Sequence, residues 1–337
     1  MKNSKLSSIY IVTFLFLITI TIFFTACENK NSVLQKTSLR LRWITQSQFA
    51  GIYWAQEKGY FEREGLDVTI NPGGPGINFM QVVGTGAEEF GVCGATQIIE
   101  ARDKGLPVVA LAIIFQGNPN IFFAKKESNI KSPKDWIGKT VAVFYGYDHE
   151  TIYRAMLKRN NINPSDVKEF PITMDMTPFF SDKVDVWGGY VINQPNTAEE
   201  KGYEITRIFP DDYGINVAGD ILFTTEDVIK KKPELVQKVV NAVLDGWRDA
   251  LKNQEEAVNI VLSLDEKLNR EHETKMIKWV EKLALTKDID TKIGWMSYSQ
   301  WDKMVSLWNE FGVVDKTVSP EECFDMQFVN EYYKNEE

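Results

Sequence analysis

The chain has 337 residues, 44% of them hydrophobic, and a formal net charge of −9 at pH 7. Its lysines and arginines are scattered along an acidic chain, so the sequence offers no basic patch for nucleic acid and excludes nucleic acid as a partner. Three cysteines and two histidines make neither a disulfide framework nor a cluster with the spacing of a zinc site. We therefore expect no metal and no cofactor.

The N-terminus has the pattern of an export signal. Two lysines and no acidic residue precede an apolar run over 9–24, which is short for a membrane span of about 20 residues. The run ends in a sequence that resembles the lipobox of bacterial lipoproteins, with Phe24 where leucine is usual and Cys27 as the acylated residue. We predict a signal peptide over 1–26 and a polar tether over 27–37. An uncleaved N-terminal anchor is the alternative, and both place the rest of the chain outside the cytoplasm.

Beyond the tether, short apolar segments alternate with helical patterns, which indicates an α/β fold. Strands are predicted, in chain order, at 39–44, 66–70, 90–92, 108–115, 121–125, 140–145, 184–187, 204–209 and 219–224. Helices are predicted at 48–58, 77–85, 96–104, 150–159, 194–201, 233–253, 255–262, 270–285 and 299–311.

The folded part is longer than one hydrophobic core usually holds, which favours two lobes. The segment 125–220 has its own series of strands and helices between two stretches that belong together. We predict a discontinuous first lobe, made of 38–124 and 221–337, and a second lobe made of 125–220. The cleft between two such lobes is a natural site for a small molecule.

Several segments resemble the group related to thiamine-pyrimidine synthases, which are type II periplasmic binding proteins of ABC importers. The resemblance covers about residues 38–330 and is carried by Leu41-Arg42-Trp43, Phe49–Ala55, Glu57–Val68, Pro107–Ala110, Ser132–Lys139 and Lys232–Val236. It implies a monomeric extracytoplasmic protein that closes on a small ligand and delivers it to the permease subunits of an importer.

The loops 71–76 and 185–190 are similar to the branch of this group that takes flat, vitamin-like heterocycles. The resemblance implies a thiamine-precursor pyrimidine (of the formylaminopyrimidine or hydroxymethylpyrimidine type) or riboflavin. An alkanesulfonate, taurine or another small anion is the alternative ligand. Arginines at the cleft loops would favour an anion, and we expect none there.

In open α/β sheets, ligands lie beyond the carboxyl ends of the strands. Aromatic side chains near these ends can stack on a planar ring, amides can bond to its edge, and a glycine loop lets backbone approach it. Each residue also has a structural alternative, as a core aromatic or as a cap, and Asp148 can cap the helix near His149. The predicted ligand-binding residues are Trp43, Gln46, Phe49, Gly74, Asn78, Ala95, Gln97, Gln116, Tyr145, Tyr147, Asp148, Trp187, Tyr190 and Asn193.

An enzyme of pyrimidine synthesis is the alternative from another class of protein. The eukaryotic relatives that the resemblance implies use a cysteine-rich iron motif and a sacrificial histidine. The corresponding stretch here, 91–95, contains Cys93 and no histidine, and the chain has no nucleophile-elbow motif. We therefore expect a binding protein without catalytic residues. Cys93 and Cys323 could pair in an oxidising compartment, but nothing in their spacing favours a bond, and we expect two free buried thiols.

Overall fold

The first of two sheets contains strands β1 to β4 and a late strand, β10. The computed structural model describes residues 33–286, 292–314 and 318–334. The strand order is β2-β1-β3-β10-β4, in which β1 pairs in parallel with β2 and β3, while β10 is antiparallel to β3 and β4. The strands are β1 (Gln35–Arg40), β2 (Leu66–Asn71), β3 (Phe90–Cys93), β4 (Val108–Phe115) and β10 (Gly219–Thr225).

The second sheet contains strands β5 to β9 and has the same arrangement as the first. Its order is β7-β6-β8-β5-β9, in which β6 is parallel to β7 and β8, while β5 is antiparallel to β8 and β9. Each sheet therefore contains one antiparallel strand, and that strand enters directly from the other sheet. The strands are β5 (Asn120–Lys125), β6 (Thr140–Val143), β7 (Lys168–Pro171), β8 (Val186–Tyr190) and β9 (Ile205–Ile208).

The two sheets define two lobes within the compact unit Gln35–Glu337. Lobe 1 consists of residues 35–115 and of the described residues from 219 to 334, and lobe 2 consists of 120–208. The chain crosses between the lobes at 116–119 and at 209–218. The predicted second lobe, 125–220, is therefore shifted: β5 belongs to lobe 2 because it pairs with β8 and β9, and β10 pairs in lobe 1.

Helices cover the sheets. In chain order they are α1 (Ala50–Glu57), α2 (Tyr60–Arg63), α3 (Phe79–Gly84), α4 (Ala95–Asp103), α5 (Asp148–Arg159), α6 (Thr177–Phe180), α7 (Gln194–Glu200), α8 (Glu226–Lys231), α9 (Pro233–Lys252), α10 (Gln254–Leu264), α11 (Arg270–Ala284), α12 (Tyr298–Phe311), α13 (Pro320–Cys323) and α14 (Gln327–Lys334). Short 3-10 helices lie at Ser47–Phe49, Lys126–Ser128, Pro133–Trp136, Pro164–Asp166 and Pro210–Tyr213.

The core of lobe 1 fixes the position of α1, the helix that follows the loop after β1. Every residue of β4 is buried, as the unbroken apolar run predicts for a strand covered on both faces. Helices α1 and α9 approach each other closely at two glycines: a Cβ on Gly51 would lie 2.2 Å from Trp247, and a Cβ on Gly246 would lie 2.2 Å from the Gly51 carbonyl. This contact anchors α1, which continues the chain from the cleft.

The first strand begins earlier than predicted. β1 spans Gln35–Arg40, so the tether predicted over 27–37 overlaps it, and residues 41–46 form a loop instead of the end of a strand. The signal peptide, Cys27 and the first part of the tether lie outside the described residues. None of the helices that the structure describes is long and apolar enough to cross a membrane.

Cys93 and Cys323 are both buried free thiols. Burial raises the pKa of Cys93, and it raises the pKa of Cys323 to about 12. Over the described ranges, no group of three or more His, Cys, Asp or Glu side chains is placed to hold a metal ion.

Candidate functional site: a cavity between the lobes

A cavity of about 340 Å³ lies between the two lobes. Its size falls within the range of small-molecule pockets, roughly 300–1,000 Å³. Lobe 1 supplies the loop after β1, through Arg42, Trp43, Gln46 and Gln48. Lobe 2 supplies Phe144, Tyr147, Asp148, His149, the continuous segment 172–177, Phe180, the segment 187–190, Asn193, Gln194, Thr197 and Lys201.

A buried arginine shared by two carboxylates forms the floor of the site. Arg42 is 3% exposed; its Nη2 lies 2.8 Å from Oδ1 of Asp148 in lobe 2, and its Nη1 lies 3.5 Å from Oδ1 of Asp220 in lobe 1. Burial alone would lower the pKa of Arg42, but the attraction of Asp148, Tyr190 and Asp220 outweighs it and raises that pKa. The guanidinium therefore stays charged and joins the two lobes.

Both carboxylate oxygens of Asp148 have hydrogen-bond partners. Its second oxygen accepts from Asn120 Nδ2 and from the Tyr190 hydroxyl, each at 3.3 Å. The expectation that Asp148 caps the following helix is not met: α5 begins at Asp148 itself and Tyr147 is the N-cap residue. The attraction of the buried Arg42 explains why the carboxylate turns away from the helix end.

Asp220 is the second carboxylate, and it stands at the point where the chain re-enters lobe 1. Its φ of 31° is unusual for a residue with a side chain, and its Oδ2 accepts from Gln48 Nε2 at 2.7 Å. Burial raises the pKa of Asp220 from 3.8 to about 6, although Arg42 opposes the shift.

The raised pKa predicts how stability depends on pH. Between about pH 4 and pH 6 the folded chain keeps a proton on Asp220 that the unfolded chain has lost, so this group's contribution to stability falls as pH rises through that window. Asp220→Asn removes the effect. We expect the free energy of unfolding of the wild type to fall, relative to that of Asp220→Asn, by up to about 3 kcal/mol from pH 4 to pH 6.5. Parallel profiles in urea titrations would contradict this.

An aromatic corner spans the lobes next to Arg42. Trp43 of lobe 1 packs edge-on against Phe144 at 5.4 Å and against Tyr147 at 5.8 Å between ring centroids. The Tyr147 hydroxyl donates to the Gly74 carbonyl at 3.2 Å. These contacts place a partly buried indole at the cavity, where it can pack against a planar ligand.

Trp187 lines the cavity from lobe 2 but has no exposed surface. It packs edge-on against Phe179, with ring centroids 6.3 Å apart, and its indole N–H has no partner among the described residues. Trp43 and Trp187 thus line one cavity from different lobes. In this conformation, however, the lobe 2 core covers the Trp187 ring.

A buried histidine completes the lobe 2 wall. His149 Nδ1 accepts from the Phe144 N–H at 3.4 Å, which leaves the proton on Nε2, and Nε2 has no partner among the described residues. Burial lowers the pKa of His149 to about 4, so the ring is neutral. A Cβ on Gly188 would lie 1.9 Å from Nε2, which explains why glycine occupies that position in β8.

Half of the fourteen predicted residues line the cavity. They are Trp43, Gln46, Tyr147, Asp148, Trp187, Tyr190 and Asn193. The other seven do not line the cavity, and the contacts that each makes explain why.

Three of these seven lie close to the cleft without lining it. Phe49 is buried in the lobe 1 core, the carbonyl of Gly74 accepts from Tyr147, and Asn78 caps α3 through the Gln81 N–H.

The other four are held by other parts of the fold. Ala95 and Gln97 form the buried start of α4, where Gln97 bonds to the Gly94 N–H. Gln116 lines a separate open cavity at the crossings and donates to the carbonyls of Ile113 and Trp295. Tyr145 is 44% exposed and bonds to Glu169.

The most important residue that the sequence analysis missed is Arg42. The expectation that the cleft loops contain no arginine is wrong, because β1 ends at Arg40 and the loop therefore starts four residues earlier than the predicted strand 39–44 implies, which places Arg42 in the loop. The one sequence feature that could have pointed to Arg42 is a charged residue set between the hydrophobic Leu41 and Trp43. The lining segment 172–177 was also missed, because β7 and α6, which flank it, have only four residues each and are too short to show a period.

The profile of a family described as NMT1/THI5 like matches residues 46–257. The chain belongs to this family. It is 28% identical over 319 residues to the riboflavin-binding protein RibY of Chloroflexus aurantiacus, covering 89% of this chain and 88% of that protein. It is 24% identical to the formylaminopyrimidine-binding protein of Halalkalibacterium halodurans, covering 90% and 94%.

Two further proteins are similar to this chain, one in sequence and one in fold. A 4-amino-5-hydroxymethyl-2-methylpyrimidine phosphate synthase of Legionella pneumophila is 23% identical and covers 89% of this chain and 94% of that protein. The periplasmic aliphatic sulphonate binding protein SsuA of Escherichia coli has the same fold, with a TM-score of 0.66 at 15% identity, covering 86% of this chain and 91% of SsuA. The two-lobed fold is therefore that of the periplasmic binding proteins.

Proposed function

We propose that this chain is the substrate-binding component of an ABC importer and that it takes a small flat heterocycle, either a thiamine-precursor pyrimidine or riboflavin. The observation that carries the proposal is the interlobe cavity, where the aromatic corner of Trp43, Phe144 and Tyr147 adjoins the amides of Gln46 and Asn193. Rings supply stacking surfaces and amides supply both donors and acceptors for a heterocycle edge. The names of RibY and the formylaminopyrimidine-binding protein support the same ligand class.

A sulfonate or another anion is less well served by this cavity. Arg42, the arginine that lines it, already pairs with two carboxylates. Lys201 also lines the cavity, but its ammonium lies over the Phe180 ring at 5.4 Å. The similarity to SsuA concerns the fold alone, at 15% identity, and says nothing about the ligand of this cavity.

An enzyme of pyrimidine synthesis is also disfavoured. Cys93 stands in the stretch that corresponds to the cysteine motif of the synthases, and it is fully buried in β3 with a raised pKa. A thiol in that state is a poor nucleophile and a poor metal ligand. The chain then acts by binding and release to permease subunits, as a monomer.

Anchoring at Cys27 is part of the proposal. If the thiol of Cys27 is acylated, Cys27→Ser should accumulate as an uncleaved precursor without lipid label. The measurement is metabolic palmitate labelling followed by mass determination of the N-terminus. Labelling of the Cys27→Ser protein equal to that of the wild type would refute the anchor and leave the binding function untouched.

Native mass spectrometry of the purified protein, with a thermal-shift panel, tests the ligand class. We expect an adduct or a rise in melting temperature with riboflavin or formylaminopyrimidine and none with taurine or alkanesulfonates. Stabilisation by the sulfonates alone would overturn the proposed ligand. Turnover of pyrimidine precursors would overturn the binding-protein assignment.

A further inference from the structure

The rim of the cleft carries a polar contact between helices of opposite lobes. His272, in α11 of lobe 1, has its Nδ1 3.2 Å from Oε2 of Glu200 at the end of α7 in lobe 2. Its Nε2 lies 3.2 Å from Oδ1 of Asn193, the residue before α7. Lys275, one turn further along α11, lies 3.5 Å from Glu200. These bonds exist only while the lobes are together.

Asn193 connects this rim to the cavity. Its Nδ2 donates to Oε1 of Gln46 at 3.1 Å, and both side chains line the cavity. Gln46 Nε2 donates to Gln48 Oε1 at 2.6 Å, and Gln48 Nε2 donates to Asp220 at 2.7 Å. A chain of hydrogen bonds therefore runs from His272 to the carboxylate that pairs with Arg42.

Asp220, at the inner end of this series of hydrogen bonds, determines which group donates and which accepts in each bond. An ionised Asp220 can only accept, so Gln48 presents its NH₂ group to Asp220 and its oxygen to Gln46. By the same logic Gln46 presents its oxygen to Asn193. Asn193 then turns its own oxygen towards His272, as observed.

His272 therefore faces two acceptors. Asn193 Oδ1 requires a donor on Nε2, and the Glu200 carboxylate requires a donor on Nδ1. Only the imidazolium form of histidine carries both N–H groups. On the same helix, Lys275 lies 3.5 Å from Glu200 and also pairs with Glu271. Glu273, which interacts electrostatically with His272, is turned inward and accepts from the Ser47 N–H.

We propose that His272 is a positioning residue of the binding site: as an imidazolium it latches Asn193 and Glu200 of lobe 2 to lobe 1 and orients Gln46 and Asn193 towards the ligand. The latch rests on the proposed function only in taking the cavity as the ligand site. It makes the closed conformation dependent on protonation, so that release is favoured where the imidazolium loses its proton.

The latch can be tested without any ligand. Spin labels attached through non-natural amino acids at Lys183 of lobe 2 and Lys267 of lobe 1, both exposed, report the distance between the lobes in the full chain. We expect a short and a long distance at pH 6.5, with the ratio of short to long falling about tenfold at pH 8.5 and in His272→Ala, as loss of hydrogen bonds to a charged group predicts.

Two variants separate the latch from a general structural role. Glu200→Gln offers an amide donor to Nδ1, so neutral histidine suffices, and the short distance should persist at pH 8.5. Lys278→Ala, at an exposed position of the same helix, should leave the wild-type distances and their pH dependence unchanged.

The proposal fails if the wild type shows the same distances at both pH values, whether short or long. It also fails if His272→Ala matches the wild type, or if Glu200→Gln keeps the wild-type pH dependence. Because the readout needs no ligand, a negative ligand panel bears on the proposed function and leaves this result intact.

Discussion

Replacing Arg42 with leucine is expected to lower the free energy of unfolding by about 3–5 kcal/mol. The change leaves Asp148 and Asp220, both nearly fully buried, without the cation that compensates them. Removing one partner of a buried ion pair costs more than the pair itself contributes, because an uncompensated charge stays in a low dielectric. Denaturation in urea, monitored by circular dichroism at neutral pH, measures the loss.

Arg40→Leu is the matched control for this change. Arg40 lies two residues earlier and pairs with a single carboxylate, Glu88, and both side chains keep some contact with solvent, 17% and 12% exposed, so its removal should cost less than that of the fully buried Arg42. The triple variant Arg42→Leu/Asp148→Asn/Asp220→Asn should recover much of the lost stability, because no buried charge remains. Equal losses of unfolding free energy in Arg42→Leu and Arg40→Leu would show that the pairing of Arg42 with Asp148 and Asp220 has no special electrostatic weight.

The two tryptophans of the cavity are expected to behave differently when each is replaced by alanine. Trp187 has no exposed surface and packs in the lobe 2 core, so Trp187→Ala should cost about 3–5 kcal/mol of folding stability. Trp43 is partly exposed at the cavity, so Trp43→Ala should weaken ligand binding by about 2–4 kcal/mol. That loss is a factor of about 30–1,000 in dissociation constant.

Calorimetric titration and thermal melting of the same two proteins separate the roles. A folded Trp43→Ala protein with unchanged affinity would remove Trp43 from the ligand site. A Trp187→Ala protein that melts like the wild type but binds poorly would instead show that the ring becomes exposed to ligand when the lobes move.

Patterns within a segment predict the fold better than they predict its site. β4 was predicted with its observed bounds, because eight apolar residues in a row leave no ambiguity. β1 was misplaced because its first four residues, Gln35 to Ser38, are polar and the apolar pattern starts only at Leu39. The lobe boundary was misplaced because an apolar strand such as β5 gives no sign of which sheet it joins.

The site depends on contacts between distant parts of the chain, which a single sequence does not reveal. The pairing of Arg42 with Asp148 and Asp220 joins residues 106 and 178 positions apart. The contact of Asn193 with both Gln46 and His272 likewise crosses the cleft. Residue types at strand ends predicted Trp43, Gln46 and Asn193, but the same rule also selected Gln97 and Asn78, which serve helix ends.

Isothermal titration of the purified wild-type protein with riboflavin, formylaminopyrimidine and taurine tests the central claim most directly. We predict saturable binding of one of the two heterocycles, with one molecule per chain, and no heat of binding with taurine. Saturable binding of taurine, together with none of either heterocycle, would contradict it.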